Sequence, residues 1–147
     1  MRRTPKDFIE VSYNGIVNIR GPSGSLPVIL LKDDRGRTMA IPITSLESDL
    51  LRHALEGSDK GPLFYQTLPA CLSKLHATLV EVRILYSSDY DLPTRLLLHD
   101  AHGREIEITI PCPDGIAYAH LTQAPILVAE KLMTAVCASS GEAGSNG

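Results

Sequence analysis

The sequence predicts a single α+β domain, and three observations predict it. A β-hairpin whose return strand runs straight into a helix occurs twice, over Val28–Gly57 and again sixty-seven residues later over Arg95–Ala124. Strands, hairpins and helices follow one another without the strict alternation of a parallel sheet, which favours a mostly antiparallel or mixed sheet with about four short helices. A chain of 147 residues also suffices for one core, since a domain of this size buries roughly 70% of the surface its unfolded chain exposes. The domain is expected over residues 1–137, followed by a small, polar stretch, Ala138–Gly147, whose composition predicts a disordered tail.

Laid over one another without gaps, the two copies pair Leu31 with Leu98, Asp33 with Asp100, Gly36 with Gly103, Arg37 with Arg104, Ile41 with Ile108, Ile43 with Ile110 and His53 with His120. Those are seven identities in the twenty-three positions from Leu31 to His53. Each glycine falls where a short hairpin loop needs a residue with positive φ, so geometry alone can make it recur; common ancestry is the other reading. Glu47 falls on Asp114, an acid at the start of a helix in both copies.

In chain order, Phe8–Arg20 reads as a strand interrupted by a turn or bulge at Asn14-Gly15, and Gly21–Ser25 as a loop. Pro27–Lys32 is a short apolar strand, turned at Asp33–Gly36 into Arg37–Ile43, where Met39, Ile41 and Ile43 alternate with Thr38, Ala40 and Pro42. A proline has no N–H for a ladder, which places this strand end at an edge or a bulge. Thr44-Ser-Leu-Glu47 has the form of a capping box, and Leu46, Leu50, Leu51, Ala54 and Leu55 follow at helical spacing up to Gly57, a candidate C-cap. Ser58–Pro62 reads as a linker. Gln66–Leu75 is a second helix with Leu68, Cys71, Leu72 and Leu75 on its apolar face, and Pro69 is admissible only within its first turn.

Ala77–Ser87 is a strand with Thr78, Val80, Val82, Ile84 and Tyr86 on one face and Glu81 and Arg83 on the other. After the loop Ser87–Pro93, the second hairpin's return strand alternates Ile106, Ile108 and Ile110 inward with Glu105, Glu107 and Thr109 outward. Pro111–Gly115 opens a third helix, roughly Asp114–Thr122. Ala124–Val128 is a short buried strand, and Ala129–Val136 a final helix.

Composition narrows the function. The net charge is −3 and the fourteen Lys and Arg are spread along the chain, so there is no basic stripe to draw in a phosphate backbone by counterion release. Constitutive tight DNA binding is disfavoured, whereas a contact assisted by a bound divalent cation stays open. No apolar run approaches the ~18 residues of a membrane span, and no apolar segment follows the arginines near the N-terminus, which points to a cytoplasmic protein. Cys71, Cys112 and Cys137 are an odd count without metal-ligand spacing, as expected of unpaired thiols in a reducing compartment.

The runs Val28–Gly57, Ala77–Asp100 and Arg104–Met133, the last with its Ala124-Pro-Ile-Leu-Val-Ala-Glu130, resemble the bifunctional nuclease domain, a family of small bacterial and plant proteins associated with degradation of DNA and RNA. The most specific stretches are Ile41–Gly57 and Asp114–Glu130. The resemblance implies an α+β fold, self-association, and nuclease activity assisted by a divalent cation. Where the family commonly reads Arg-Pro-Ser-Asp before its third helix, this chain has Pro111-Cys112-Pro113-Asp114. Tyr65-Gln66 stands in place of a frequent His-Asp, and Pro42 in place of a strand aromatic.

Hydrolysis of a phosphodiester needs a nucleophilic water and stabilised phosphoryl oxygens, and two carboxylates holding Mg²⁺ or Mn²⁺ provide both. Glu47 and Asp114 are the candidate catalytic and metal-binding pair; the competing reading is that each merely caps its own helix. Arg37 and Arg104 either contact substrate phosphate or brace Asp33 and Asp100 of their own loops. His53 and His120 lie six residues beyond the acids and share no face with them, and Asp49 with His53 reads as a surface pair. His99 and His102 flank a turn without further ligands. Cys112 precedes a helix start but has no evident base. A non-catalytic oligomerising or regulatory module that has kept the fold and lost the nuclease site is the alternative function.

Assembly follows from apolar residues on both faces of single strands, as at Leu79 and Leu85 opposite the Thr78–Tyr86 face, and at Leu96 and Leu98 flanking Leu97. A few short helices leave such strands under-covered, so a homodimer or higher homo-oligomer is expected. The alternative is a compact monomer closed by the Gln66–Leu75 and C-terminal helices.

Overall fold

The computed structural model describes residues 5–57 and 63–145; the Ser58–Pro62 linker, residues 1–4 and residues 146–147 lie outside the described residues. Seven strands form one sheet: β1 (Phe8–Gly21), β2 (Gly24–Asp33), β3 (Thr38–Pro42), β4 (Thr78–Ile84), β5 (Thr94–His99), β6 (Glu105–Ile110) and β7 (Ile126–Ala129). The helices are α1 (Ser45–Glu56), α2 (Leu63–Lys74), α3 (Cys112–Thr122) and α4 (Glu130–Ser145). The domain is α+β.

The strand order β3-β2-β1-β7-β4-β5-β6 shows what the repeat builds. Each unit is a three-strand antiparallel meander followed by a helix, β1-β2-β3-α1 and β4-β5-β6-α3. The last strands of the two units end at opposite edges of the sheet. β7 fills the centre, antiparallel to β1 and parallel to β4, so β1 and β4 run in opposite directions. That is the arrangement of a pseudo-two-fold axis perpendicular to the sheet. The hairpins therefore do not touch, but α1 and α3 pack against each other across the axis, with α2 against α3.

The two turns are copies in atomic detail. Asp33 Oδ1 accepts from the backbone N–H of Arg35 at 3.0 Å and of Arg37 at 2.8 Å. Asp100 Oδ1 accepts from those of His102 at 2.9 Å and Arg104 at 2.8 Å. Gly36 and Gly103 take φ of 81° and 80°, a conformation that costs glycine nothing. The recurrence of Asp, Gly and Arg is thus dictated by the turn.

Most element predictions hold within a few residues. Asn14-Gly15 is a bulge, with the β1–β2 register shifting between Tyr13 and Ile16. Gly21–Ser25 is tighter than a loop, because Gly21 already pairs with Gly24. Thr44 and Glu47 form the complete capping box, Thr44 N–H donating to Glu47 Oε1 at 2.8 Å and Glu47 N–H to Thr44 Oγ1 at 3.1 Å. Gly57 ends the helix in an extended conformation, φ −76° and ψ 160°, and is no left-handed cap.

Other expectations are corrected. Helix α2 starts at Leu63, so Pro69 lies inside it, where it has no N–H for the carbonyl four residues back. Tyr65 and Leu72 are buried, while Cys71 and Leu75 are exposed. Leu46 at the start of α1 is exposed. A bulge between Leu79 and Glu81 in β4 turns Leu79 onto the core face with Val82 and Ile84, while Glu81 keeps its place on the opposite face, paired with Leu97 and buried with Arg83 as its charged partner. Ile106 and Ile108 face the helix side as the alternation predicts, beside Leu98 and Leu96, but on the edge strand β6 they are 42% and 41% exposed. The final helix, expected over Ala129–Val136, is α4 from Glu130 to Ser145.

The main core lies between one sheet face and the helices. Ile29, Leu31, Met39 and Ile41 from β2 and β3, Val82, Ile84 and Leu96 from β4 and β5, Leu51 from α1, Ile116 from α3, and Leu132 and Met133 from α4 form one cluster. Glycine sets the approach of α3 to the sheet: a Cβ on Gly115 would lie 2.9 Å from Thr94 Cγ2 and 3.2 Å from Val82 Cγ1. Among the described residues no helix is long and apolar enough to cross a membrane.

Candidate functional site

The two equivalent acids occupy the same helical position, the third residue of α1 and of α3, but their carboxylates are engaged differently. Glu47 closes the capping box of α1. Asp114 makes no such box, because the residue before its helix is Pro111, which has neither a side-chain cap nor an N–H for a carboxylate to accept. The prolines around Cys112 thus free Asp114 from its own helix end, while the positive end of the α3 dipole still favours its negative charge.

What Asp114 binds instead comes from α2. The Tyr65 hydroxyl donates to Asp114 Oδ1 at 3.0 Å. Tyr65 is buried, its ring 5.8 Å from Tyr118 in an edge-on contact and 4.3 Å from Phe64. Burial pushes the Tyr65 hydroxyl pKa well up, the charge of Asp114 and its hydrogen bond raise it further, and Glu47 adds to the same effect. Tyr65 is therefore a proton-bearing donor throughout the neutral range. Both repeated acids are half-buried, but only Asp114 contacts this tyrosine. Beside it, Tyr65, Gln66, Pro69, Ala70 and Leu121 line a cleft of about 390 Å³ between α2 and α3.

The arginines also part company. Arg37 Nε donates to Asp33 Oδ2 at 2.7 Å, and its two terminal nitrogens clasp Glu130 Oε1 and Oε2 at 2.9 and 3.1 Å. With all three nitrogens committed and the side chain 22% exposed, Arg37 is a brace between the first turn and α4. Arg104 makes the same contact to Asp100 at 3.0 Å, but its side chain is 77% exposed. Of the two candidate phosphate contacts, the geometry leaves Arg104 available.

The histidines stand apart from this site. His53 and His120 are exposed, and His120 meets the edge of Tyr13 with ring centres 5.9 Å apart. His99 lies 4.0 Å from Glu105 on the far hairpin. Burial raises the Cys112 thiol to about 11, against a smaller lowering by Thr94, so it is not a nucleophile at neutral pH. Cys71, Cys112 and Cys137 are all free thiols.

For a divalent cation the donors are of the right kind, hard oxygens, and few in number: among the described residues no three acids, histidines or cysteines converge. No buried polar side-chain atom among the described residues lacks a partner. The described residues hold no preformed metal cage, but two carboxylates suffice for Mg²⁺ when water and substrate phosphate complete its shell.

Sequence reasoning placed both acids on helix starts but missed Tyr65 and Gly115. Tyr65 enters the sequence reading only as a departure from the family's His-Asp. That departure at a position of polar function was the signal. Gly115 had none, since its need for closeness comes from Thr94 and Val82 of other strands.

An α+β domain with two meander–helix units and a carboxylate–tyrosine pair at their junction defines the class of molecule. The family model of the bifunctional nuclease domain matches residues 28–140, and the chain belongs to that family. A search among characterised proteins finds none that matches the chain.

Proposed function

We propose that this protein hydrolyses phosphodiester bonds in DNA or RNA, with Asp114 as the acting carboxylate. The observation that carries this reading is the release of Asp114 from helix capping and its capture by the Tyr65 hydroxyl. Membership of the nuclease-domain family supports it. One Asp114 oxygen is oriented by Tyr65, and the other is left to orient a water and take its proton as the water's oxygen bonds to phosphorus and the bond to the leaving oxygen breaks. Tyr65 holds the carboxylate in place and keeps its own proton. Arg104 is the residue suited to bind a substrate phosphate, and Arg37 is reassigned to bracing. Asp114 and Glu47 would hold Mg²⁺ or Mn²⁺; such an ion would neutralise charge on the phosphoryl oxygens and offset the protein's own negative charge.

A second reading has specific support. Glu47 is tied into its cap and Arg37 into its ion cluster, which fits a module that keeps the fold for assembly or regulation without turnover. Incubation with single-stranded DNA and RNA, with and without Mg²⁺ or Mn²⁺, separates the two. Cation-dependent cleavage that disappears in the Glu47→Ala, Asp114→Ala double variant is the expected result. Cleavage no greater than that of the double variant overturns the nuclease reading in favour of the module.

A further inference from the structure

The repeat shows where the fold is incomplete. Met39 and Ile41 of β3 correspond to Ile106 and Ile108 of β6, each on the helix-facing side of its edge strand. In the first unit α4 packs over β3, and Met39 and Ile41 are 1% and 2% exposed. Among the described residues no helix packs over β6 as α4 does over β3, and Ile106 and Ile108 stand at 42% and 41% exposed. Strand β6 is also the last in the sheet, so among the described residues no strand lies along the outer side of its backbone, beside this apolar stripe.

We propose that β6 pairs with β6 of a second copy, antiparallel across a two-fold axis at Ile108, joining two sheets into one of fourteen strands. The choice of occupant comes from the strand's own pattern. Opposed residues in an antiparallel pair share a face, so isoleucine must meet isoleucine. An axis at Glu107 would set two Glu107 carboxylates directly opposite each other, which is unfavourable. An axis at Ile108 pairs Ile108 with its equivalent and Ile106 with Ile110, joining all three isoleucines. It sets Glu107 against Thr109, with no like charges opposed. Glu107 is already tied to Arg95 at 3.3 Å, which draws its charge back toward its own sheet. The strand is thus complementary to itself in apolar side chains, charge and backbone. This inference is independent of the nuclease reading.

Light scattering coupled to gel filtration at tens of micromolar is the first test. The dimer predicts twice 16.0 kDa, about 32 kDa, for the native chain and about 16 kDa for Ile108→Glu. Unchanged circular dichroism in that variant checks that it folds, as expected for a side chain already 41% exposed. Single cysteines then fix the register. With Cα atoms about 4.5–5.5 Å apart across the axis, Ile108→Cys should form an intermolecular disulfide under mild oxidation, well above the native chain with its own three thiols. Ile106→Cys sits four residues out of register with its equivalent, roughly 13 Å away, and should not. A native mass of 16 kDa, a dimer that survives Ile108→Glu, or cross-linking at residue 106 in preference to 108 would overturn the proposal.

Discussion

Residues that the repeat makes equivalent do unequal work, and the inequality can be measured. Arg37 and Arg104 brace identical turns, but only Arg37 also clasps Glu130 and serves an aspartate, Asp33, whose side chain is fully buried. Arg37→Met should cost about 2 kcal/mol in urea unfolding, between the values for exposed and buried pairs, because Asp33 is left without its cation. Arg104→Met should leave stability near that of the native chain. The hydrogen bonds from Arg37 hold Glu130 below its ordinary carboxyl range; burial pushes Asp33 up, but the Arg37 side chain and backbone outweigh it and the net shift is down. Groups with depressed folded values stabilise above their unfolded values and lose that contribution as pH falls. The cluster's stabilisation should therefore be complete at neutral pH and fade as pH drops below the ordinary values of 4.5 and 3.8. The stability gap between the native chain and Arg37→Met should shrink from about pH 6 to about pH 3; a constant gap would show that the cluster does not titrate with folding.

At the scale of the element, the first turns of α1 and α3 divide capping from chemistry. Glu47→Ala removes half of a capping box and should lower stability by about 1 kcal/mol. Asp114→Asn removes no cap, keeps an oxygen for Tyr65, and should melt close to the native temperature. Gly115 lets α3 lie against Thr94 and Val82, both stiff at χ1. Gly115→Ala should cost about 1 kcal/mol net, the overpacking outweighing the gain in helix propensity. It should also displace Asp114 from Tyr65, so the rate of any cleavage should fall more than stability does. An unfolding midpoint raised by this substitution would show that the helix has room to give.

For the molecule as a whole, local pattern was a good guide and coverage was not. The capping box, the bulge glycine and both hairpins were legible because each is decided by residues within a few positions of one another. The alternation of Ile106, Ile108 and Ile110 was legible too, but not which side of the sheet had a helix to spare for it. That depends on α4 crossing to β3 and leaving β6 bare. Glu81 lies opposite Val82 and Ile84 as the alternation predicts; the bulge in β4 instead turns Leu79 onto the core face, which local alternation could not show. The repeated acids were visible as a pair, whereas the tyrosine that bonds to Asp114 comes from the non-repeated α2, which no internal comparison could align.

The initial rate of cation-dependent cleavage of a single-stranded substrate by the native chain, Asp114→Asn and Tyr65→Phe, at matched folded fraction, tests the assignment of Asp114 most directly. Asp114→Asn should reduce the rate by at least ~100-fold, as expected for loss of a general base. Tyr65→Phe should reduce it by about 10-fold through lost positioning. Equal rates in the native chain and Asp114→Asn would contradict the account.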